Sequence, residues 1–96
     1  MQLHFTGRNL EVTPALKTYT EDKFKRLEKR DETVTNVNVV FHLENVTHIA
    51  EATLHVNGAE IHASAKASDM YVAIDELIDK LVAQTTKLKE KNSERR

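Results

Sequence analysis

Cysteine is absent from the chain, so neither a disulfide framework nor a thiolate metal site can hold it together. That absence suits a reducing cytosol. Glycine occurs twice and proline once, which leaves no Gly-rich phosphate loop, little linker and no low-complexity stretch. Nor does any segment form a nucleophile elbow. Aromatic residues make up 5 % of the chain and tryptophan is missing. The interleaved stacking platforms of single-strand binders are therefore not evident. The opening MQLHFTGRNL has no basic segment followed by an apolar run, so no secretory leader is expected. No apolar stretch approaches the ~20 residues that cross a bilayer. No internal repeat is evident. The 96 residues suffice for one small domain with a single core and little to spare. It is expected to span 1–92, with 93–96 a frayed basic tail.

What is present is a strong separation of charge. The formal net charge is only -1. Yet residues 13–30 hold six Lys/Arg against three Asp/Glu, and residues 79–96 hold six against three. Between them, residues 31–65 hold no Lys or Arg and five acids. The distribution of charge, more than its sum, decides whether a local field attracts a polyanion.

The segments read in order. QLHFT alternates Leu3 and Phe5 with His4 and Thr6, a short strand with one buried face. Thr13 fits an N-cap and Pro14 the first helical position. Leu16, Thr20, Phe24 and Leu27 then recur at helical spacing, with Tyr19 at their edge. In TNVNVVFHLE, Val37, Val39, Phe41 and Leu43 share one phase of a long strand. In HIAEATLHV, Ala50, Ala52, Leu54 and Val56 do the same. Asn57-Gly58 predicts a tight hairpin, because a type I′ turn needs positive φ at both positions. AEIHASAKA points Ala59, Ile61, Ala63 and Ala65 inward, small enough for a helix to pack closely above them. Ser68 or Asp69 caps a last helix whose apolar stripe is Met70, Ile74, Leu77, Ile78, Leu81 and Leu88.

The order is β-α-β-β-β-α. A right-handed crossover makes the first two strands parallel, and the last three form an antiparallel meander. The predicted fold is an α+β two-layer sandwich, with both helices on one face of a four-stranded mixed sheet. The other face is left to water.

The helical surfaces carry the clearest chemistry. On the first helix, Lys25, Arg26, Lys29 and Arg30 share one arc beside the core stripe, interrupted by Asp22. Lys23 sits at the core boundary and must extend along it to reach water. On the second helix, Lys80, Gln84, Lys87 and Lys91 form a stripe at spacings of 4, 3 and 4, with Asp75, Asp79 and Glu90 behind. If these two basic flanks face each other, they line a positive groove suited to a phosphate backbone. Tyr71 and Gln84 are further candidate contacts. The plainer alternative, a pair of solvated surface helices, is weakened by the lack of cations between them.

Other chemistry is poorly supported. His4, His42, His55 and His62 take the outward phase of their strands, beside Glu44, Glu51 and Glu60. They could collect an adventitious ion near His42, His55 and His62, but no fixed ligand spacing makes a metal site. No cofactor is expected. Ser64 beside His62 lacks a third partner, and Asp75 with Asp79 reads as a solvated helix face, so no catalytic residue is assigned. The expectation is a binding protein and not an enzyme. A generic double-stranded RNA-binding module is the alternative reading.

The stretch ATLHVNGAEIHASAKASDMYVAIDELIDKL, with the opening MQLHFTGRNLEVTPAL and the later TKLKEK, resembles the short-form ribosome hibernation promoting factors of the ribosome-associated translation inhibitor family. The resemblance covers essentially the whole chain. It implies the β-α-β-β-β-α fold and non-enzymatic binding to the small ribosomal subunit and its rRNA in stationary phase. The implied site is the channel of messenger RNA and the transfer-RNA anticodon arms, where occupancy blocks translation. With ribosome modulation factor, the short form promotes inactive ribosome dimers. A cytoplasmic protein, monomeric when free and without membrane or DNA partners, is expected. The family's RNA contacts match Lys23, Arg26, Lys80, Lys87, Lys89 and Lys91 here. Lys25, Lys29 and Arg30 extend the surface by helical geometry alone. Two departures stand out. Ala83 occupies a position where many relatives carry arginine. With the sequence ending at Arg96, neither the long acidic tail nor the dimerisation domain of related forms is expected.

Overall fold

The computed structural model describes residues 1–31, 33–56 and 58–94, with side chains as far as residue 88. The order is β1 (Gln2–Arg8), α1 (Pro14–Arg30), β2 (Val34–Glu44), β3 (Thr47–Val56), β4 (Ala59–Ala67) and α2 (Met70–Glu94). The sheet runs β1-β2-β3-β4, with β1 parallel to β2 and the remaining pairs antiparallel. This is the expected architecture.

Local chemistry sets the boundaries. β1 runs two residues past the expected QLHFT, to Arg8. Gly7 allows this, because the following turn brings the Leu10 carbonyl oxygen within 2.5 Å of where a Cβ would sit. Asn9 makes that turn at φ 62°, a conformation asparagine tolerates. The Thr13 hydroxyl accepts the Leu16 N–H at 3.2 Å, and Pro14 follows in the first turn of α1. At the far end the Asp31 N–H donates to the Leu27 carbonyl at 3.0 Å. The Asp31 carboxylate accepts the Thr33 N–H and hydroxyl at 3.0 and 2.6 Å, turning the chain into β2. For α2 the cap is Asp69, whose carboxylate accepts the Tyr71 N–H at 2.7 Å. Gly58 takes φ 76° in the β3–β4 hairpin, while Asn57 lies outside the described residues.

The core is one cluster between the layers. Phe24 and Leu27 of α1 and Ile74, Leu77 and Leu81 of α2 meet Val37, Val39, Phe41 and Leu54 of the sheet. Thr20 is buried on the same stripe, its hydroxyl donating to the Leu16 carbonyl at 2.7 Å. Ala50, Ala52, Ala63 and Ala65 are buried beneath the helical layer, and the small side chains let α2 lie close to β3 and β4. The opposite face is less watery than its alternation predicts. Ile49 points outward by phase but is 3 % exposed, between its cross-strand partners His42 and Lys66.

The two helices run in the same direction. Tyr19 meets Tyr71, Lys23 meets Asp75 and Arg30 meets Thr86, so contacts advance together along both. Among the described residues, no helix is long and apolar enough to cross a membrane. The tail at 93–96 has its side chains outside the described residues.

Candidate nucleic-acid interface

The turn of α1 directs its cations two ways. Lys25 and Lys29 are exposed on the solvent side. Tyr19, Lys23, Arg26 and Arg30, spaced 4, 3 and 4, follow the seam with α2. Lys23 extends along the core boundary as predicted, its side chain only 22 % exposed. Its ammonium lies 3.2 Å from the Asp75 carboxylate and 5.2 Å from the Tyr19 ring centroid. The Tyr19 hydroxyl donates to the same Asp75 oxygen at 2.7 Å. That hydrogen bond, followed by Lys23 and Arg26, outweighs burial and holds the Asp75 carboxyl below its usual range. The same bond, with burial and the nearby negative charge, raises the Tyr19 phenol. Arg30 reaches the Thr86 hydroxyl at 3.4 Å and is exposed.

On α2 the basic stripe does not look at α1. The Lys80 ammonium donates to the Ser64 carbonyl at 2.7 Å, and the Gln84 amide donates to the His62 carbonyl at 3.2 Å. Both lean over β4. The flank facing α1 carries Tyr71, Asp75 and Thr86 instead. Among the described residues, the expected positive groove between facing flanks is therefore not formed. The reason lies in the packing: α2 sits over β3 and β4 with its apolar stripe down, so one flank meets α1 and the other overhangs the sheet edge. The helical layer instead carries two exposed basic strips, Lys25, Arg26, Lys29 and Arg30 on one side and Lys80 and Lys87 on the other. Between them runs the exposed back of α2, with Val72, Glu76, Asp79 and Ala83. The side chains of Lys89 and Lys91 lie outside the described residues.

Residues 3–93 match the family described as Sigma 54 modulation protein / S30EA ribosomal protein. The chain belongs to this family. It is 56 % identical over 91 residues to the ribosome hibernation promoting factor of Salmonella typhimurium, covering 95 % of this chain and 96 % of that one. The structure of a ribosomal subunit interface protein from Coxiella burnetii superposes with a TM-score of 0.89 at 32 % identity, over 94 % of this chain and 99 % of that one. The N-terminal domain of Protein Y from Thermus thermophilus does so with 0.82 at 30 %, over 88 % and 94 %.

Within this S30EA-family chain, sequence reasoning missed Asp75. The helical wheel put it behind the basic stripe with Asp79, but it lies in the seam and binds Tyr19 and Lys23. Its spacing of four from Tyr71, facing Tyr19 and Lys23 also four apart, was the available signal. On the open face, sheet register sets Glu51 between two histidines. His42 Nε2 lies 2.7 Å and His62 Nε2 3.5 Å from its carboxylate oxygens, and His55 lies 3.7 Å from Glu60. Among the described residues, no group of three or more His, Asp or Glu side chains is arranged to hold a metal ion.

Proposed function

We propose that this chain is a cytoplasmic ribosome hibernation factor that binds small-subunit rRNA in the channel of messenger RNA and transfer-RNA anticodon arms. It is a binding protein and not an enzyme, as its family is. The observation that carries the reading is near full-length identity of 56 % with a ribosome hibernation promoting factor. The exposed cations of the helical layer add the physical means. Lys25, Arg26, Lys29, Arg30, Lys80 and Lys87 offer charge to phosphates, and each phosphate neutralised releases counterions. Lys23 is a weaker contact because Asp75 already pairs with it. Lys89 and Lys91 extend the same reading along α2. In stationary phase, occupancy of the channel blocks translation, and together with ribosome modulation factor it favours inactive ribosome dimers.

Sucrose-gradient sedimentation of ribosomes from stationary cells tests this. The protein is expected to travel with the small subunit at low salt and to leave it as salt rises. An unrelated RNA duplex should compete poorly. A protein that stays at the top of the gradient at low salt rules the reading out.

A further inference from the structure

The N-terminal end of the α1–α2 seam differs from the rest of the helical layer. Here the helices leave an open groove of about 490 Å³ lined by Pro14, Ala15, Thr18, Tyr19, Asp22 and Tyr71. Tyr71 is 39 % exposed. Its ring stands edge-on to Tyr19, with centroids 4.9 Å apart and planes at 86°. Tyr19 is itself fixed, by its 2.7 Å hydrogen bond to Asp75 and by the Lys23 ammonium over its ring. The Tyr71 N–H is tied to the Asp69 carboxylate at 2.7 Å. The exposed ring is therefore braced on one side and open on the other, so engaging it costs little side-chain entropy.

Phosphate binding accounts for neither a braced aromatic ring nor the Asp22 carboxylate that lines the same groove, which repels phosphate. A nucleobase accounts for both. Its face stacks on an aromatic ring, and its edge can donate to a carboxylate. Guanine fits best, because N1–H and the N2 amino group give two adjacent donors matching the two carboxylate oxygens. The Lys25 ammonium lies 3.9 Å from Asp22, and Arg26 follows along the helix. These cations suit the phosphates on either side of such a base. We infer that this groove holds one unpaired guanine of the bound RNA, stacked on Tyr71 with its Watson–Crick edge toward Asp22. The inference rests on the rRNA-binding reading and adds a base-reading site to it.

Equilibrium binding to purified small ribosomal subunits, over a range of salt, tests the site. Tyr71→Ala should weaken binding about 5- to 150-fold, the range for loss of one base–aromatic stack. The slope of log affinity against log salt should not change, and Tyr71→Phe should bind as the unsubstituted protein does. Asp22→Asn separates base from phosphate. Removing a negative charge beside a phosphate strengthens binding, whereas replacing one of the two acceptors that face guanine by an amide donor weakens it. The unsubstituted protein should also shield one unpaired guanine from kethoxal, and Tyr71→Ala should not. If the unsubstituted protein does not bind the subunit, the rRNA reading fails. If it binds, yet Tyr71→Ala binds as tightly, Asp22→Asn binds more tightly or no guanine is shielded, only the guanine site is overturned.

Discussion

Asp75 shows how much one side chain can do at a helix–helix seam. It accepts from the Tyr19 hydroxyl at 2.7 Å and pairs with Lys23 at 3.2 Å, so it fixes the Tyr19 ring and anchors a cation at once. Its folded-state carboxyl is held down chiefly by the Tyr19 hydrogen bond. A depressed carboxyl contributes stability that is complete above its unfolded value of about 3.9 and is lost as pH falls through the folded value. Tyr19→Phe removes the main cause. It should lower the unfolding free energy by about 1 kcal/mol or less near neutral pH, since the carboxylate is half exposed and screened. That difference should shrink below about pH 4. Urea unfolding of both proteins from acid to neutral pH measures it. The raised Tyr19 phenol works in the opposite limb: its contribution is full below the ordinary value of 10.0 and fades as pH rises through the folded value.

At the scale of elements, the alanines of β3 and β4 decide how α2 is seated. Ala52 is fully buried, and Ala63 and Ala65 nearly so, beneath an apolar stripe that includes Ile74, Leu77 and Leu81. Ala52→Leu forces extra volume under the helix and should cost about 1–3 kcal/mol, read as a lower urea midpoint. The helices were legible because their stripes and caps are local: Thr13, Pro14 and a 3.6-residue period suffice for α1. Strand phases were legible for the same reason, and β4 occupies the residues its alternation predicted. The ends were less so. β1 gained two residues because Gly7 admits a close backbone approach from Leu10, a contact made only after the chain turns.

Across the whole molecule, the basic strips and the histidine–glutamate contacts fall on different faces. The helical layer carries the two basic strips, and on the opposite sheet face Glu51 contacts both His42 and His62. Lys87→Glu should therefore weaken subunit binding and reduce the salt slope by about one to two. Joint replacement of His42 and His62 by alanine should leave both unchanged. Filter binding at several salt concentrations distinguishes these outcomes. By itself the sequence determined the element order, the parallel first pair and the core stripes, because hydrophobic period and turn chemistry act over a few residues. It did not determine which flank of α2 meets α1, because a helical wheel gives angles around one axis and no neighbour. Only the packing of α2 over β3 and β4 turned Lys80 and Gln84 toward the sheet edge and brought Asp75 and Tyr71 against Tyr19. Residues far apart in the chain then share one environment, and such meetings leave no trace in local periodicity.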